Sequence, residues 1–343
     1  MRLNRFSVRS VFLSEQGIRI GWKALLFVGL LIALRMGTRP ALGSLIVLSQ
    51  SDPNPPSHAL IRESWLVLLV FIATWVMARI EKRSVFSFGY IGEARLIRFV
   101  SGIAWGFFSL SALVGVMWLS GSLVFDGFSL HGAAAWKYGI EWALMFTLVG
   151  IAEESELRGY LQYTLSRGIG FWWSALILSS VFVLLHAFLA GESALGLFQT
   201  GALGMVFCLS LWYTKSLFWA VGFHAGWDWS ESYFYGTPDS GMLIQGHLFT
   251  THPVGDPLWS GGVTGPEGSV FSILLPILMA VGMWLWWGKI GCQVLVQRAT
   301  VVTTAAVSET VPATTGTAAI VAVRETEPRT RSHIATSTDR SSL

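Results

Sequence analysis

Eight apolar runs, at residues 20–36, 64–78, 99–125, 138–152, 171–189, 194–213, 217–235 and 270–287, dominate this chain. Several approach the ~20 residues a helix needs to cross the hydrocarbon layer of a bilayer. Lipid offers no hydrogen bonds, so a segment that spans it must satisfy its own backbone, and a helix does so locally. Of the 343 residues, 53% are hydrophobic and only 13% are charged, against about a quarter charged in an ordinary soluble domain. The expected fold is an all-α polytopic membrane protein with about eight transmembrane helices. Runs 64–78 and 138–152 are short; the first is expected to start nearer Ala59, and the second to continue through the acidic residues that follow it.

The connections orient the spans. Lys and Arg crowd the N-terminal segment (Arg2, Arg5, Arg9, Arg19, Lys23) and the second connection (Arg79, Lys82, Arg83, Arg95, Arg98). Arg167, Lys215 and Lys289 follow the fourth, sixth and eighth runs, whereas the connection 236–269 has no Lys or Arg. By the positive-inside rule both termini are cytoplasmic. A net charge of +3 gives no reason to expect nucleic acid as a partner. The two cysteines, Cys208 and Cys292, form no metal pattern and give no reason to expect a disulfide. The first apolar run lacks a small-residue cleavage site and reads as a retained span. Residues 1–19 alternate Phe6, Val11 and Phe12 with arginines, as an interfacial amphipathic helix does. Residues 298–343 are rich in Thr, Ala, Val and Ser without a helical period and read as a disordered cytoplasmic tail. The Gly- and Pro-rich connection 236–269 is long enough for a lid over the outer face, although an ordinary exposed loop explains it as well. The sequence shows no internal repeat, which counts against a transporter.

Chemistry concentrates in three places. Glu153 and Glu154 interrupt an apolar stretch, and charge in hydrocarbon marks a functional site. On a helix Glu154 and Arg158 share a face, so the arginine can neutralise one carboxylate while Glu153, rotated by about 100°, faces elsewhere. His186, four residues after Phe182, is the one ionisable group of 179–189. His224 and Asp228 are again four apart on one face, with Ala225 and Gly226 between them to permit close helix approach. Each element also has a plain structural reading: a salt-bridged helix end, a hydrogen-bonded packing histidine, a self-satisfied His–Asp pair.

In this order on successive runs, Glu153-Glu154-x-x-x-Arg158, Phe182-x-x-x-His186 and His224-x-x-x-Asp228 resemble the CAAX protease and bacteriocin-processing family, the type II CAAX prenyl endopeptidases and lysostaphin-resistance-protein-A-like membrane proteases. The resemblance covers roughly 99–234. It implies a membrane endopeptidase in which Glu153, assisted by His186, activates water, His224 and Asp228 stabilise the oxyanion, and Glu154 with Arg158 holds the base in place. An ionised Asp228 would repel an oxyanion, so it must be protonated or act through His224. Glu156 is an extra acid of no evident role. The resemblance implies no cofactor; zinc held by Glu153, His186 and His224 is the mechanistic alternative, without the HExxH helix of many zinc proteases. The implied partners are a peptide or protein substrate, lipid-modified or not, and membrane lipid. The substrate is either a CAAX-type C-terminal tail or a bacteriocin-like peptide, and the implied location is a bacterial inner or plasma membrane. The competing classes are a proton-coupled transporter and a non-catalytic immunity or scaffold protein. The corresponding division of the chain is an interfacial segment (1–19), N-terminal transmembrane helices (20–98), a catalytic membrane core (99–235), the outer loop (236–269), a last transmembrane helix (270–297) and the tail (298–343).

Overall fold

The computed structural model describes residues 12–14, 17–48 and 56–288. Helix α1 spans Ile20–Leu48, α2 Pro56–Ile80 and α3 Arg95–Leu119. Helix α4, Gly132–Glu154, widens into i→i+5 hydrogen bonding over Ser155–Leu161 and bends at Gly159 (φ −78°, ψ −108°) before α5, Gln162–Ile169. Then come α6 (Phe171–His186), α7 (Ala194–Thr214) and α8 (Phe218–Asp228), the last widening again over Trp229–Phe234. Helix α9, Leu274–Met283, lies within a longer helical stretch, Val270–Gly288.

Among the described residues, five helices are long and apolar enough to cross a membrane: Ile20–Ile46, Pro56–Ile80, Arg95–Leu119, Ala194–Thr214 and Val270–Gly288. The protein is an integral membrane protein, and large apolar side chains such as Met36, Leu96, Ile97, Phe108 and Leu119 face outward, as lipid permits and water does not. The expected count was about eight. The 16 residues of α6 reach only about 24 Å at 1.5 Å per residue, short of a ~30 Å core. Helix α8 has 11 residues before its wide turn, and α4 carries Lys137, Glu141, Glu153 and Glu154. The three helices that bear the chemical motifs are therefore not among the five.

Two expectations need correction. The run 99–125 is not one helix: it stops at Leu119, turns through Gly121 (φ +76°) and becomes strand β1, Leu123–Phe128. That strand pairs antiparallel with β2, Phe249–Pro253, so the connection 236–269 is partly woven into a ribbon, with Val124 opposite His252. Of the segment 1–19, residues 1–11, 15 and 16 lie outside the described residues; the rest contains two short antiparallel strands, Leu13–Ser14 and Gly17–Ile18, so the segment is not helical throughout. The tail 298–343 and Cys292 lie outside the described residues; Cys208 is buried and free. Helix α2 does begin before Ala59, at Pro56.

Of the three apolar cores among the described residues, two join the long spans to the motif helices. One joins Leu113, Phe207, Trp219, Phe223 and Met279 from α3, α7, α8 and α9. The other joins Phe27, Leu69, Met77, Tyr160 and Phe182 from α1, α2, the wide turn and α6.

Candidate active site

Backbone-to-backbone contact sets the position of α8. Gly222 and Gly226 of α8 press on α3, where an added Cβ would lie 2.1 Å from Phe99 O and 2.4 Å from Ile103 O. Reciprocally, a Cβ at Gly102 or Gly106 of α3 would lie 2.3 Å from Trp219 O or Phe223 O. Two small-x-x-x-small pairs thus face each other, the arrangement by which helices in lipid pack closely. Helix α4 closes from another side: a Cβ on Gly150 would be 3.0 Å from Val221 O and 3.3 Å from His224 Cβ. This approach brings the acidic end of α4 to His224.

Glu154 is fully buried. Its Oε1 accepts from Arg158 Nη1 at 3.1 Å and faces His224 Nδ1 at 3.3 Å. The Arg158 guanidinium lies 4.6 Å from the Phe182 ring centroid and 5.4 Å from that of Phe207, so two aromatic faces replace part of its lost hydration. A Cβ at Gly204 would come within 2.7 Å of Arg158 Nη2; this glycine leaves the guanidinium its room.

Glu153 differs from its neighbour. Its side chain keeps 36% of its surface exposed, and Oε2 lies 3.6 Å from His224 Nε2. Asp228 Oδ2 lies 3.5 Å from the same nitrogen. These are ion-pair separations, longer than hydrogen bonds. The imidazole thus has carboxylates on both sides: Glu154 at Nδ1, Glu153 and Asp228 at Nε2. Only the doubly protonated ring carries a donor at each nitrogen. The ring is stacked on Phe207 (5.5 Å, 13°) and meets the Phe182 edge at 6.3 Å.

His186 is placed apart. Its Nδ1 donates to Phe182 O at 3.0 Å and its ring packs on Phe182 at 4.4 Å. Among the described residues it forms no hydrogen bond or ion pair with Glu153, Glu154, His224 or Asp228. Phe182 is the shared wall, touching Arg158, His186 and His224. Of the alternative zinc ligands, then, Glu153 and His224 stand together and His186 does not. Glu156 finds a role in packing: it pairs with Arg35 of α1 at 2.6 Å. Next to Glu154, the Ser155 hydroxyl bonds to Tyr90, whose phenol burial holds above its usual range.

Residues 135–230 match the family model described as "Type II CAAX prenyl endopeptidase Rce1-like". Through that segment the chain is similar to the type II CAAX prenyl endopeptidases. No curated protein and no solved structure matches it. That similarity supports a membrane endopeptidase of the CAAX type, with a peptide or protein substrate at a membrane. The matched segment holds Glu153, Glu154, Arg158, His186, His224 and Asp228 and ends before Glu231.

Two parts of the surroundings escaped the sequence reading. Phe207, which lies against both Arg158 and His224, carries no motif and looks like any apolar residue of a span. Glu231, Asp239 and Glu267 converge beyond Asp228. Glu231 had a readable signal, a carboxylate inside the apolar run 217–235.

Proposed function

We propose that this protein is an intramembrane protease of the CAAX type that cleaves its substrate with water activated by Glu153, without a metal at the reacting centre. The observation that supports the reading best is the unequal environment of the two adjacent carboxylates: Glu154 is buried against Arg158 and His224, while Glu153 is partly open and borders the same imidazole. In this scheme Glu153 takes a proton from water as the oxygen attacks the scissile carbonyl. The His224 imidazolium donates to the developing oxyanion, and Asp228 acts through His224 by holding the ring. The proton held by Glu153 then passes to the leaving amine. His186 borders the site across Phe182 and would act on substrate or water there; the separation of His186 from Glu153 and His224 argues against the three-ligand zinc set.

The substrate we propose is a peptide or protein with a lipid near its C-terminus. A cavity of 260 Å³ lined by Val67, Phe71, Phe86, Tyr90, Ile151 and Ser155 supports this: it is apolar and shares Ile151 and Ser155 with the turn that carries Glu153 and Glu154. An alkyl or isoprenoid chain gains about 0.8 kcal/mol per buried CH₂ in such a place.

The test compares membranes containing wild type or Glu153→Gln at matched expression. A prenylated CAAX peptide, its unprenylated form and a bacteriocin-like peptide are supplied, and new termini are mapped by mass spectrometry. Termini expected only with wild type, preferentially from the prenylated peptide, and persisting in phenanthroline, support the reading. Equal cleavage by Glu153→Gln removes Glu153 as base; loss in phenanthroline points to zinc. Val67→Trp, which fills the cavity, is expected to reduce the preference for the prenylated peptide.

A further inference from the structure

Beyond Asp228, where the end of α8 meets the connection 236–269, three carboxylates come together. Glu231 lies three residues beyond Asp228, Asp239 in the connection that follows, and Glu267 three residues before the final helical stretch. One oxygen of each lies within 4.8 Å of the other two. Glu231 is fully buried, and neither of its carboxylate oxygens has a hydrogen-bond partner. Glu267 accepts from Trp227 Nε1 at 2.8 Å and from Ser240 Oγ at 3.5 Å; Asp239 accepts from Ser232 Oγ at 3.3 Å. None of the three forms an ion pair with Lys, Arg or His among the described residues.

One indole and two hydroxyls cannot satisfy six carboxylate oxygens, and three carboxylates in one buried pocket repel each other. Protons or a bound cation relieve that repulsion. We propose that Glu231, Asp239 and Glu267 bind a hard divalent cation, calcium in the first place. All the ligand atoms are oxygens, which suits calcium or magnesium and not zinc. A span of up to 4.8 Å fits oxygens on opposite sides of an ion at about 2.3–2.6 Å, calcium's range, and calcium tolerates irregular geometry better than magnesium does. Glu231 and Glu267 are buried while Asp239 is partly open, so the ion enters along Asp239. Its three ligands come from the end of the His224 helix, the outer loop and the approach to the last span. The bound ion therefore staples the outer loop to the helix that carries His224 and Asp228. Its ligands are not the proposed reacting groups, and the proposal stands independently of the hydrolytic reading.

The full chain, purified in detergent and stripped of divalent ions, is titrated with terbium. Trp227 donates to Glu267, so its indole lies beside the ion and sensitises terbium emission. Saturable emission at one ion per chain is expected, displaced by calcium and less readily by magnesium. Asp239→Asn and Glu231→Gln are expected to weaken calcium by at least the about 10–100-fold that loss of a supporting group costs a metal site. Glu93→Gln, exposed on a distant connection, leaves it unchanged. Trp227→Phe dims the emission while calcium still binds by equilibrium dialysis. Wild type without calcium-displaceable emission, or a folded Asp239→Asn with undiminished affinity, overturns the proposal. Should Glu231→Gln fail to fold, Asp239→Asn at the open edge carries the decision. A wild-type melting point that calcium leaves unmoved at neutral pH, while acid raises it, also overturns it by assigning protons to the cluster.

Discussion

Glu154 is enclosed by Arg158 and His224, whereas Glu153 keeps a third of its side chain open, and in the proposed mechanism this difference separates a structural carboxylate from a reactive one. Removing one member of a buried pair strands the other. Arg158→Met is therefore expected to cost about 3–5 kcal/mol, and Glu154→Gln/Arg158→Met less than the sum of the two single changes. Heat-induced unfolding in detergent measures both. Glu153→Gln, at a partly open position, should melt close to wild type and lose only cleavage. A pH effect belongs to this scale too. Burial first, then the Asp239 and Glu192 carboxylates, push Glu267 up to about 8 from 4.5. Burial pushes Asp239 up to about 6 from 3.8 against the opposing pull of His186 and His224. Both groups hold a proton more tightly folded than unfolded. Their stabilisation is complete below their unfolded values and is lost as pH rises through about 6 and then about 8. With divalent ions removed, the melting midpoint should fall between pH 5 and pH 9, and less steeply in Glu267→Gln.

At the scale of elements, the site exists because α3, α4 and α8 approach to backbone contact. Gly102→Ala forces a Cβ to within 2.3 Å of Trp219 O, and a backbone oxygen cannot rotate away as a side chain can. A loss of about 1–3 kcal/mol is expected, together with lower activity as His224 moves off the acidic turn. Gly115→Ala, on the same helix with nothing within 4 Å, should leave melting and cleavage unchanged. The wide turns after Glu154 and Asp228 belong here as well. Each lies directly beyond a motif carboxylate, where i→i+5 bonding often marks a functional position.

For the whole molecule, five long spans alone would leave the ends of the described bundle on opposite faces. The proposed orientation, with both termini cytoplasmic, requires an odd number of α4, α6 and α8 to complete a crossing. Substituted cysteines decide this. In a background with Cys208 and Cys292 replaced, Asp256→Cys of the outer loop should react with an impermeant maleimide in intact cells. Lys82→Cys of the second connection should react only after permeabilisation. The reverse pattern would invert the orientation and place the basic connections outside.

Hydropathy alone specified an integral, helical membrane protein, because the bilayer's demand for satisfied backbone is local and needs only composition and length. Spacing alone specified that Glu154 and Arg158, and His224 and Asp228, share helical faces, because four residues make about one turn. Tertiary structure decided the rest. The run 99–125 became helix and strand because 123–128 pairs with residues about 125 positions later, a partner that no local pattern announces. The count of long spans differed because a helix buried in protein and one buried in lipid are equally apolar. Glu154 meets His224 across 70 positions, and His186 is held aside on Phe182, through packing among helices whose glycines mark close contact without naming the partner. The acidic trio beyond Asp228 is assembled from three separate segments, so it emerges only when the outer loop folds back over the end of α8.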